Sequence, residues 1–471
     1  RDAYIDGAWH GGPRRFAVRD PFDDTVVAEV ADCDDTLIDA AVAAAARAFP
    51  DWRRRPSGER GKLLGQLAAR MLADEQRLAE LCTRENGKPL KESLAEVRYA
   101  ASFFSWFAGE AERMYGETIP ASNVGQRLMA VREPVGPCAL ITPWNFPYAM
   151  LTRKLGAALA AGCTAVAKPA QQTPLGALAI AQLAEQVGIP AGVVNVVPSS
   201  DAARVGAKLL GAPQIKKISF TGSTAVGISL MRAAADDLKR ISLELGGNAP
   251  FIVLGDADPE AAVAGALVAK FRNTGQSCVA ANRFIVEQPI ASVFTAKFSA
   301  AIAKLKVGRG LDAGIDIGPV IDDKAVAKIK RLVDDAIAKG ARVLLGEAPS
   351  GKTRLIAPIV LVDIKSDMQL WREEIFGPVV AIRTAKNEAD AIALANDTEY
   401  GLVAYAYTRD GARQVRVAEA LESGMVGINE GLVSTSQAPF GGIKHSGVGR
   451  EGSRHGIDDY TNLKYIATRI G

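Results

Sequence analysis

The sequence predicts an α/β protein in which two largely parallel sheets follow one another along the chain. Short apolar stretches alternate with helical patterns from about residue 138 to residue 245, and a second alternation of this kind begins near Pro250. Strands that alternate with helices are typical of parallel sheets that carry helices on their faces. In such sheets ligands bind at the carboxyl ends of the strands. We therefore expect the functional residues where predicted strands end.

The elements of the first series follow from their periodicity. Before this series, apolar residues recur at helical spacing over residues 36–49, 58–82 and 90–114. Strands are then predicted at 138–143, 164–169, 193–197, 215–220 and 241–245. The helices between them are predicted near 148–160, 174–188, 201–210 and 224–235.

The second series and the tail complete the predicted fold. Strands are predicted at 283–287, 358–363, 379–384 and 424–429, with one helix that ends near Lys304 and another at 323–339. The tail YTNLKYIATRI, at residues 460–470, alternates enough to form a strand. A terminal strand with an open edge often pairs with another subunit. We therefore expect a homodimer or a homotetramer.

Composition and charge narrow the classes of function. The 471 residues suffice for two or three domains, and 48% apolar with 23% charged residues is typical of soluble globular proteins. A net charge of +3 gives no indication of a nucleic-acid or membrane partner. The Ala-rich runs are too short for a membrane span, and the opening RDAYIDGAWHGGPRR lacks the apolar segment of a signal peptide. We expect a cytoplasmic protein.

The cysteines indicate free thiols in a reducing compartment and no metal site, because the five are scattered without a CxxC pair. One of them, Cys278, follows the Gly-containing turn of FRNTGQSCVAANR at 271–283, and such a turn can expose a thiol. The chain has three histidines, and none is near Cys278 in sequence. Most cysteines are inert and buried, so Cys278 alone does not indicate a function.

Four other candidates lie at the ends of predicted strands, and each has two interpretations. Gly222 in FTGSTAVG either brings a phosphate to a helix N-terminus or forms a plain turn, and the GxxxxG spacing is neither a dinucleotide motif nor a P-loop. Lys168 either reaches a phosphate or ribose, or marks where a strand meets water. Glu244 in LELGGNAP is a general base or a surface residue. Asn145 in PWNFP donates to an oxyanion or caps a helix.

Seven motifs relate these residues to one another. In chain order they are PWNFP, KPAQQTPLGAL, FTGSTAVG, LELGGNAP, FRNTGQSC, EEIFGPV and PFGGIKHSGVGRE. In order and spacing the chain resembles the aldehyde dehydrogenase family over essentially its full length. MLTRKLGAALAAGCT, NEGLVS and GREGSRHGIDDYTNLKY resemble its succinate-semialdehyde dehydrogenase group. The resemblance implies a Rossmann-type cofactor domain at 1–120 and 139–245, an α/β catalytic domain at 246–435, and oligomerisation segments at 121–138 and 452–471.

The resemblance also implies catalytic roles. The Cys278 thiolate would attack an aldehyde carbon, while Asn145 and the backbone N–H of Cys278 hold the oxyanion. Glu244 would help to deprotonate the thiol and would later activate the water that hydrolyses the thioester. A carboxylate, the positive charge of the oxidised cofactor and backbone dipoles would thus activate Cys278 without a histidine.

The implied cofactor is NADP or NAD. The family's cofactor positions fall on Lys168 for the adenosine ribose, Gly222 and Ser223 for the pyrophosphate, Glu374 for the nicotinamide ribose, and Phe376 and Trp144 in the same cleft. Gln171 stands where NAD-preferring members often carry Glu, so a carboxylate that would repel a 2′-phosphate is missing. We therefore expect a preference for NADP, with some use of NAD. Lys154 and Glu451 match family positions near the active site.

The implied substrate is succinate semialdehyde. Arg153, Arg272 and Ser434 match the carboxylate-binding positions of the semialdehyde group, and two guanidiniums can clamp a carboxylate. Either arginine could instead pair with a structural Asp or Glu. Glutarate semialdehyde or another aldehyde is the alternative substrate. Ala280 stands where some relatives have a second cysteine, so Cys278 would have no disulfide partner beside it.

A cysteine hydrolase is the alternative from another class of protein. Such an enzyme needs a Cys–His pair, and His445 in FGGIKHSG is the candidate partner for Cys278. A relative without catalytic activity is a further alternative. The complete set of Cys278, Glu244 and Asn145 argues against it.

Overall fold

The computed structural model describes residues 1–351 and 353–470, and its first large sheet has eight strands. In spatial order they are Ala8–His10, Ala3–Ile5, Val194–Val196, Ala165–Lys168, Cys138–Ile141, Lys217–Thr221, Arg240–Glu244 and Gly447–Val448. The five strands from Val194–Val196 to Arg240–Glu244 run parallel to one another. The predicted first parallel series is confirmed.

The register of this first sheet places its strand ends at one level. Lys168 lies opposite Ile141, and Glu244 lies opposite Thr221. The short strand Gly447–Val448 runs antiparallel along the edge, with Gly447 opposite Glu244. The C-terminal segment is thereby brought beside the carboxyl end of the last parallel strand.

Helices cover both faces of the first sheet. They are Asp35–Arg54, Ser57–Ala73, Glu75–Asn86, Leu90–Glu110, Pro147–Ala161, Leu175–Gln186, Ala202–Gly211 and Thr224–Ala234. Every residue of Pro147–Ala161 is buried, because this helix lies between the sheet and the long helix Leu90–Glu110. The apolar residues of one strand separate onto two cores: Ala165 and Ala167 face one, and Val166 faces the other.

The second sheet has seven strands and its own helices. In spatial order the strands are Arg342–Leu345, Ile359–Val362, Val379–Ala385, Ala281–Glu287, Ala249–Val253, Val403–Tyr407 and Met425–Ile428. Its helices are Pro259–Phe271, Ala291–Ile302, Asp323–Ala338, Gln369–Arg372, Glu388–Asn396 and Gly411–Ala420. Apart from the antiparallel edge strand Arg342–Leu345, neighbouring strands are parallel.

A small antiparallel sheet stands apart from both large sheets. Its strands are Thr461–Arg469, Gln126–Pro134 and Glu117–Ile119, with Thr461 opposite Pro134 and Arg469 opposite Gln126. The predicted tail strand is confirmed, and it forms one edge of this sheet. Two-stranded pairings join Arg14–Arg19 to Val26–Asp32 and Tyr400–Gly401 to Ile443–Lys444. The domain limits predicted from the sequence stay a prediction.

Some elements differ from the sequence prediction. The helical stretch 58–82 is two helices that meet at Asp74, and the strand Val403–Tyr407 and the helix Pro259–Phe271 had no predicted counterpart. In the described residues, no helix is both long enough and apolar enough to cross a bilayer. The cytoplasmic location stays a prediction.

Candidate active site

A cleft of about 320 Å³ lies between the carboxyl edge of the first sheet and the loops of the second. Seven of the predicted site residues line it: Trp144, Asn145, Gly222, Ser223, Cys278, Glu374 and Phe376. The helix Asp323–Ala338 adds Lys324 and Lys328 to the wall. The cleft thus brings the predicted nucleophile together with the predicted oxyanion donor and most of the predicted cofactor residues.

The loop before Cys278 has an unusual backbone. Asn273, Thr274 and Gly275 all have positive φ, at 50°, 60° and 76°. At Gly275 a Cβ atom would lie 2.4 Å from the carbonyl oxygen of Gly377, so only glycine fits there. The side chain of Gln276 donates to the Asn273 carbonyl at 3.2 Å and accepts the N–H of Ile321 at 2.9 Å. This packing holds a strained turn that presents Cys278 to the cleft.

The environment of Cys278 keeps its thiol protonated. Burial raises the pKa of this thiol to about 12; Arg153 opposes the shift, and the nearby carboxylates of Glu374 and Glu244 add to it. The three histidines lie elsewhere: His10 contacts the Ile5 carbonyl, His445 contacts Glu399, and His455 is near Asp458. A Cys–His pair is therefore not formed, and a cysteine hydrolase is not supported.

The Asn145 side chain does not cap the helix that follows it. Its Oδ1 accepts the N–H of Phe146 at 3.1 Å, and its Nδ2 donates to the Gln276 carbonyl at 3.3 Å. Nδ2 carries a second N–H, and Asn145 lines the same cleft as Cys278. The following helix is capped instead by Glu96, which accepts the N–H groups of Tyr148 and Ala149.

Glu244 is buried, so the interpretation as a surface turn does not hold. The residue is 3% exposed, and in the described part of the chain neither carboxyl oxygen has a hydrogen-bond partner. Burial and then repulsion from Glu451 raise its pKa well above the usual range, against the attraction of Arg153 and Lys154. A buried carboxyl with a raised pKa is typical of a general base.

Glu451 joins the two basic residues of the buried helix Pro147–Ala161. Its carboxylate forms ion pairs with Arg153 and Lys154, and the Arg153 guanidinium lies 4.3 Å from the Phe440 ring centroid. Within the described residues, none of the three Arg153 nitrogens makes a hydrogen bond of normal geometry. The structural pairing considered for Arg153 is therefore present, and it engages Nε, which leaves Nη1 and Nη2 for other acceptors.

Arg272 lies on the other side of the same region. Its guanidinium is 5.5 Å from the Phe146 ring centroid, and no ion pair or hydrogen bond joins its side chain to the described residues. Burial raises the pKa of Tyr99, and the positive charges of Arg153 and Arg272 both lower it. The Tyr99 hydroxyl is buried and lies close enough to Arg153 for a side-chain hydrogen bond to help lower its pKa. Ser434 is half-buried, and its role in binding a carboxylate stays a prediction.

The cofactor side of the cleft carries charges of both signs. Glu374 accepts the N–H of Gly247 at 3.1 Å, and burial raises its pKa to about 7 although that N–H and Lys328 oppose the shift. The rings of Trp144 and Phe376 meet edge to face with centroids 5.4 Å apart. Ser223 caps the helix Thr224–Ala234, whose N-terminus therefore faces the cleft. Cations and a helix N-terminus fit a dinucleotide with two phosphates.

Lys168 is 3% exposed, so it does not merely mark where the strand meets water. Burial lowers its pKa to about 8, while Asp201 and Asp32 oppose the shift. Gln171 is exposed and lines a groove of about 400 Å³ that shares Ile321 and Lys324 with the cleft. Gln171 thus lies on a continuation of the cleft.

Several residues at the site had no sequence prediction. Tyr99, Lys324 and Lys328 lie in ordinary helical patterns, and no motif singles them out. Lys88 and Glu96, which contact the Asn145 segment, belong to the stretch NGKPLKESLAE, in which the helix Leu90–Glu110 begins. The Asn–Gly pair there was a turn signal, but it gave no indication of what the lysine binds.

The comparisons with known proteins identify the family. The aldehyde dehydrogenase family matches residues 9–466. The chain belongs to this family. It is 49% identical over 470 residues to the glutarate-semialdehyde dehydrogenase of Pseudomonas aeruginosa, covering 99% of this chain and 97% of that one. It is 53% identical over 428 residues to the NADP(+) succinate-semialdehyde dehydrogenase of Escherichia coli, covering 91% and 89%.

A solved structure supports the same family and the same fold. The succinate-semialdehyde dehydrogenase of Burkholderia pseudomallei matches with a TM-score of 0.98 at 47% identity, covering 100% of this chain and 98% of that one. The protein is thus an aldehyde dehydrogenase, and its two large sheets and small antiparallel sheet form the aldehyde dehydrogenase fold.

Proposed function

We propose that this aldehyde dehydrogenase oxidises succinate semialdehyde to succinate with NADP. The observation that carries the substrate class is the pair of guanidiniums near Cys278. The charges of Arg153 and Arg272 both lower the pKa of Tyr99, and Arg153 also lowers that of Cys278. In the described chain Nη1 and Nη2 of Arg153 make no hydrogen bond of normal geometry, and the Arg272 guanidinium lies over the Phe146 ring. A substrate carboxylate would supply the missing acceptors through charge-assisted hydrogen bonds.

The residues of the chain account for the acyl chemistry. Glu244 takes the proton of the Cys278 thiol, and the thiolate attacks the aldehyde carbon. The free N–H of Asn145 Nδ2 and the backbone N–H of Cys278 donate to the oxygen as it gains negative charge. When bound, the oxidised nicotinamide supplies the hydride acceptor. Once its first proton has passed to solvent, Glu244 takes a proton from the water that attacks the thioester carbon, and this proton returns to the Cys278 sulfur as the carbon–sulfur bond breaks, which releases the acid and the free thiol.

The proposed preference for NADP rests on Lys168 and Gln171. Lys168 is a buried cation at the strand end, and Gln171 places an uncharged amide three residues later on the groove. A carboxylate at position 171 would repel a 2′-phosphate, whereas an amide does not. The Escherichia coli relative, whose name carries NADP(+), supports the same preference.

Glutarate semialdehyde is the second candidate, because the relatives named for it are nearly as similar as those named for the succinate compound. The two substrates differ by one methylene, which is worth about 1–3 kcal/mol in an apolar pocket. Steady-state kcat/KM across three- to six-carbon semialdehydes, with NADP and with NAD, tests the proposal. A maximum at four carbons supports it, and a maximum at five carbons assigns the second candidate.

We also propose a homodimer or homotetramer built through the small antiparallel sheet. Its edge strand Thr461–Arg469 pairs on one side with Gln126–Pro134, and the other side pairs with no described strand. Leu463 and Tyr465 on this strand are 65% and 61% exposed. An open edge that carries exposed apolar side chains supports pairing with a second copy of the chain.

A further inference from the structure

A fully buried ion pair lies behind the segment that carries Asn145. Lys88 lies in the turn between the helices Glu75–Asn86 and Leu90–Glu110, and Glu96 lies in the second of these. The side chains of both residues are inaccessible to solvent, and they are bonded to each other. Because desolvation offsets most of the attraction, such a pair is weak evidence of a stabilising role. Its partners indicate a different role.

Lys88 binds the backbone of the oxyanion donor. Its Nζ donates to the carbonyl oxygen of Asn145 at 2.7 Å and lies 4.1 Å from the ring centroid of Phe146. The same carbonyl also accepts Nδ2 of Asn273, at 2.8 Å, from the loop that leads to Cys278. One carbonyl oxygen is thus fixed both by the ion pair and by the nucleophile loop.

Glu96 holds the other side of the same segment. Its Oε1 accepts the N–H of Tyr148 at 2.9 Å and the N–H of Ala149 at 3.3 Å, which lie in the first turn of the helix that follows Asn145. A carboxylate at this place also complements the helix dipole. Lys88 and Glu96 together therefore hold the segment immediately before and after Phe146.

The turn at residues 86–88 is shaped for this contact. Gly87 has a φ of 89°, and a Cβ there would lie 2.7 Å from a ring carbon of Pro319. Asn86 Nδ2 donates to the Trp144 carbonyl at 3.0 Å, one residue before the carbonyl that Lys88 binds. Asn86 and Lys88, on either side of Gly87, thus donate to two successive carbonyls.

We propose that Lys88 and Glu96 are positioning residues that fix the Asn145 amide where the oxyanion forms. The inference rests on the proposed function of Asn145. A positioning role has a specific consequence, because it acts only through the Asn145 side chain. Once that amide is absent, disturbing the ion pair should cost the chemical step almost nothing more.

The test is a double-mutant cycle read in the first turnover. NADPH formation is measured by stopped flow with succinate semialdehyde for wild type, Asn145→Ala, Lys88→Met/Glu96→Gln and the combination. Gln at position 96 still accepts the helix N–H groups, and the double change leaves no unpaired buried charge. We expect Asn145→Ala to slow the step about 100- to 1,000-fold. The pair variant should slow it about 10- to 100-fold with Asn145 present, and less than about 3-fold without it.

Controls separate the possible failures. Glu96→Gln alone should give a smaller slowing that also vanishes in the Asn145→Ala background. Lys239 is a buried lysine that binds the carbonyls of Ala212 and Ile215 at the opposite end of the Arg240–Glu244 strand, so Lys239→Met should leave the step unchanged.

Equal slowing by the pair variant in both backgrounds would show a general structural role and overturn the inference. Full speed in Asn145→Ala would overturn the proposed function of Asn145 itself.

Discussion

At the scale of single residues, the reactivity of Cys278 is governed by its surroundings rather than by its loop alone. The loop presents the sulfur to the cleft, but burial and two carboxylates raise the pKa of the thiol to about 12. The free protein therefore holds Cys278 as a thiol at neutral pH. We propose that Glu244 and the charge that arrives with the cofactor activate it.

This environment predicts the pH dependence of Cys278 alkylation. Only the thiolate reacts, so the rate with iodoacetamide should rise about ten-fold per pH unit from pH 7 to pH 10, below the raised pKa. The alkylated Cys278 peptide is quantified by mass spectrometry, with Cys278→Ala as a control that should also lack dehydrogenase activity. A plateau below pH 9 would show that the pKa is not raised.

Glu244 should control release of the acyl group. Glu244→Gln keeps the size of the side chain but cannot take a proton from water, so thioester hydrolysis should slow by about 100-fold or more. A pre-steady-state burst of NADPH, close to one per active site, should then appear. Unchanged turnover without a larger burst would reduce Glu244 to a structural residue.

Gln171 should set the choice of cofactor. Gln171→Glu places a carboxylate on the groove near the proposed 2′-phosphate site, so NADP affinity should fall about ten-fold or more while NAD affinity changes little. Raised salt should reduce this difference, because position 171 is exposed and its charge is screened. Both affinities are measured by quenching of protein fluorescence. Equal losses for the two cofactors would contradict the assignment.

At the scale of elements, the sequence predicts what depends on local pattern. The strand ends at Lys168 and Glu244 follow from short apolar runs, and the glycines of FTGSTAVG indicate the strand-to-helix turn. The predicted tail strand is likewise confirmed by its pairing with Gln126–Pro134. These features need only a few neighbouring residues to be visible.

Long-range packing could not be predicted in this way. The ion pair of Arg153 with Glu451 joins a central helix to the C-terminal segment, and no local pattern relates the two. The sequence left open whether Asn145 caps the helix that follows it. The structure shows that Glu96, 49 residues before Asn145 and in the preceding helix Leu90–Glu110, caps that helix instead. The strand that ends at Lys168 likewise packs against the helix Asp35–Arg54, more than a hundred residues earlier in the chain.

At the scale of the whole molecule, the open edge of the small sheet predicts assembly. Leu463→Lys with Tyr465→Lys adds like charges along an edge that would face a second copy, so the oligomer should weaken. Light scattering after size-exclusion chromatography should give the mass of a dimer or tetramer for wild type and a smaller species for the variant. A monomeric wild type would contradict the proposed assembly.

The two large sheets meet at one cleft. We propose that the enzyme oxidises, in this cleft, an aldehyde that also carries a carboxylate. Arg272 gives the cleanest test, because no described residue forms an ion pair with it, whereas removing Arg153 would leave Glu451 without one of its partners. The measurement is kcat/KM for succinate semialdehyde and for butyraldehyde, its analogue without the carboxylate, in wild type and in Arg272→Met. A charge-assisted bond is worth about 1.5–3 kcal/mol, so the variant should lose about 10- to 100-fold on succinate semialdehyde and little on butyraldehyde. Equal efficiency of the wild type on the two aldehydes, or equal losses in the variant, would contradict the account.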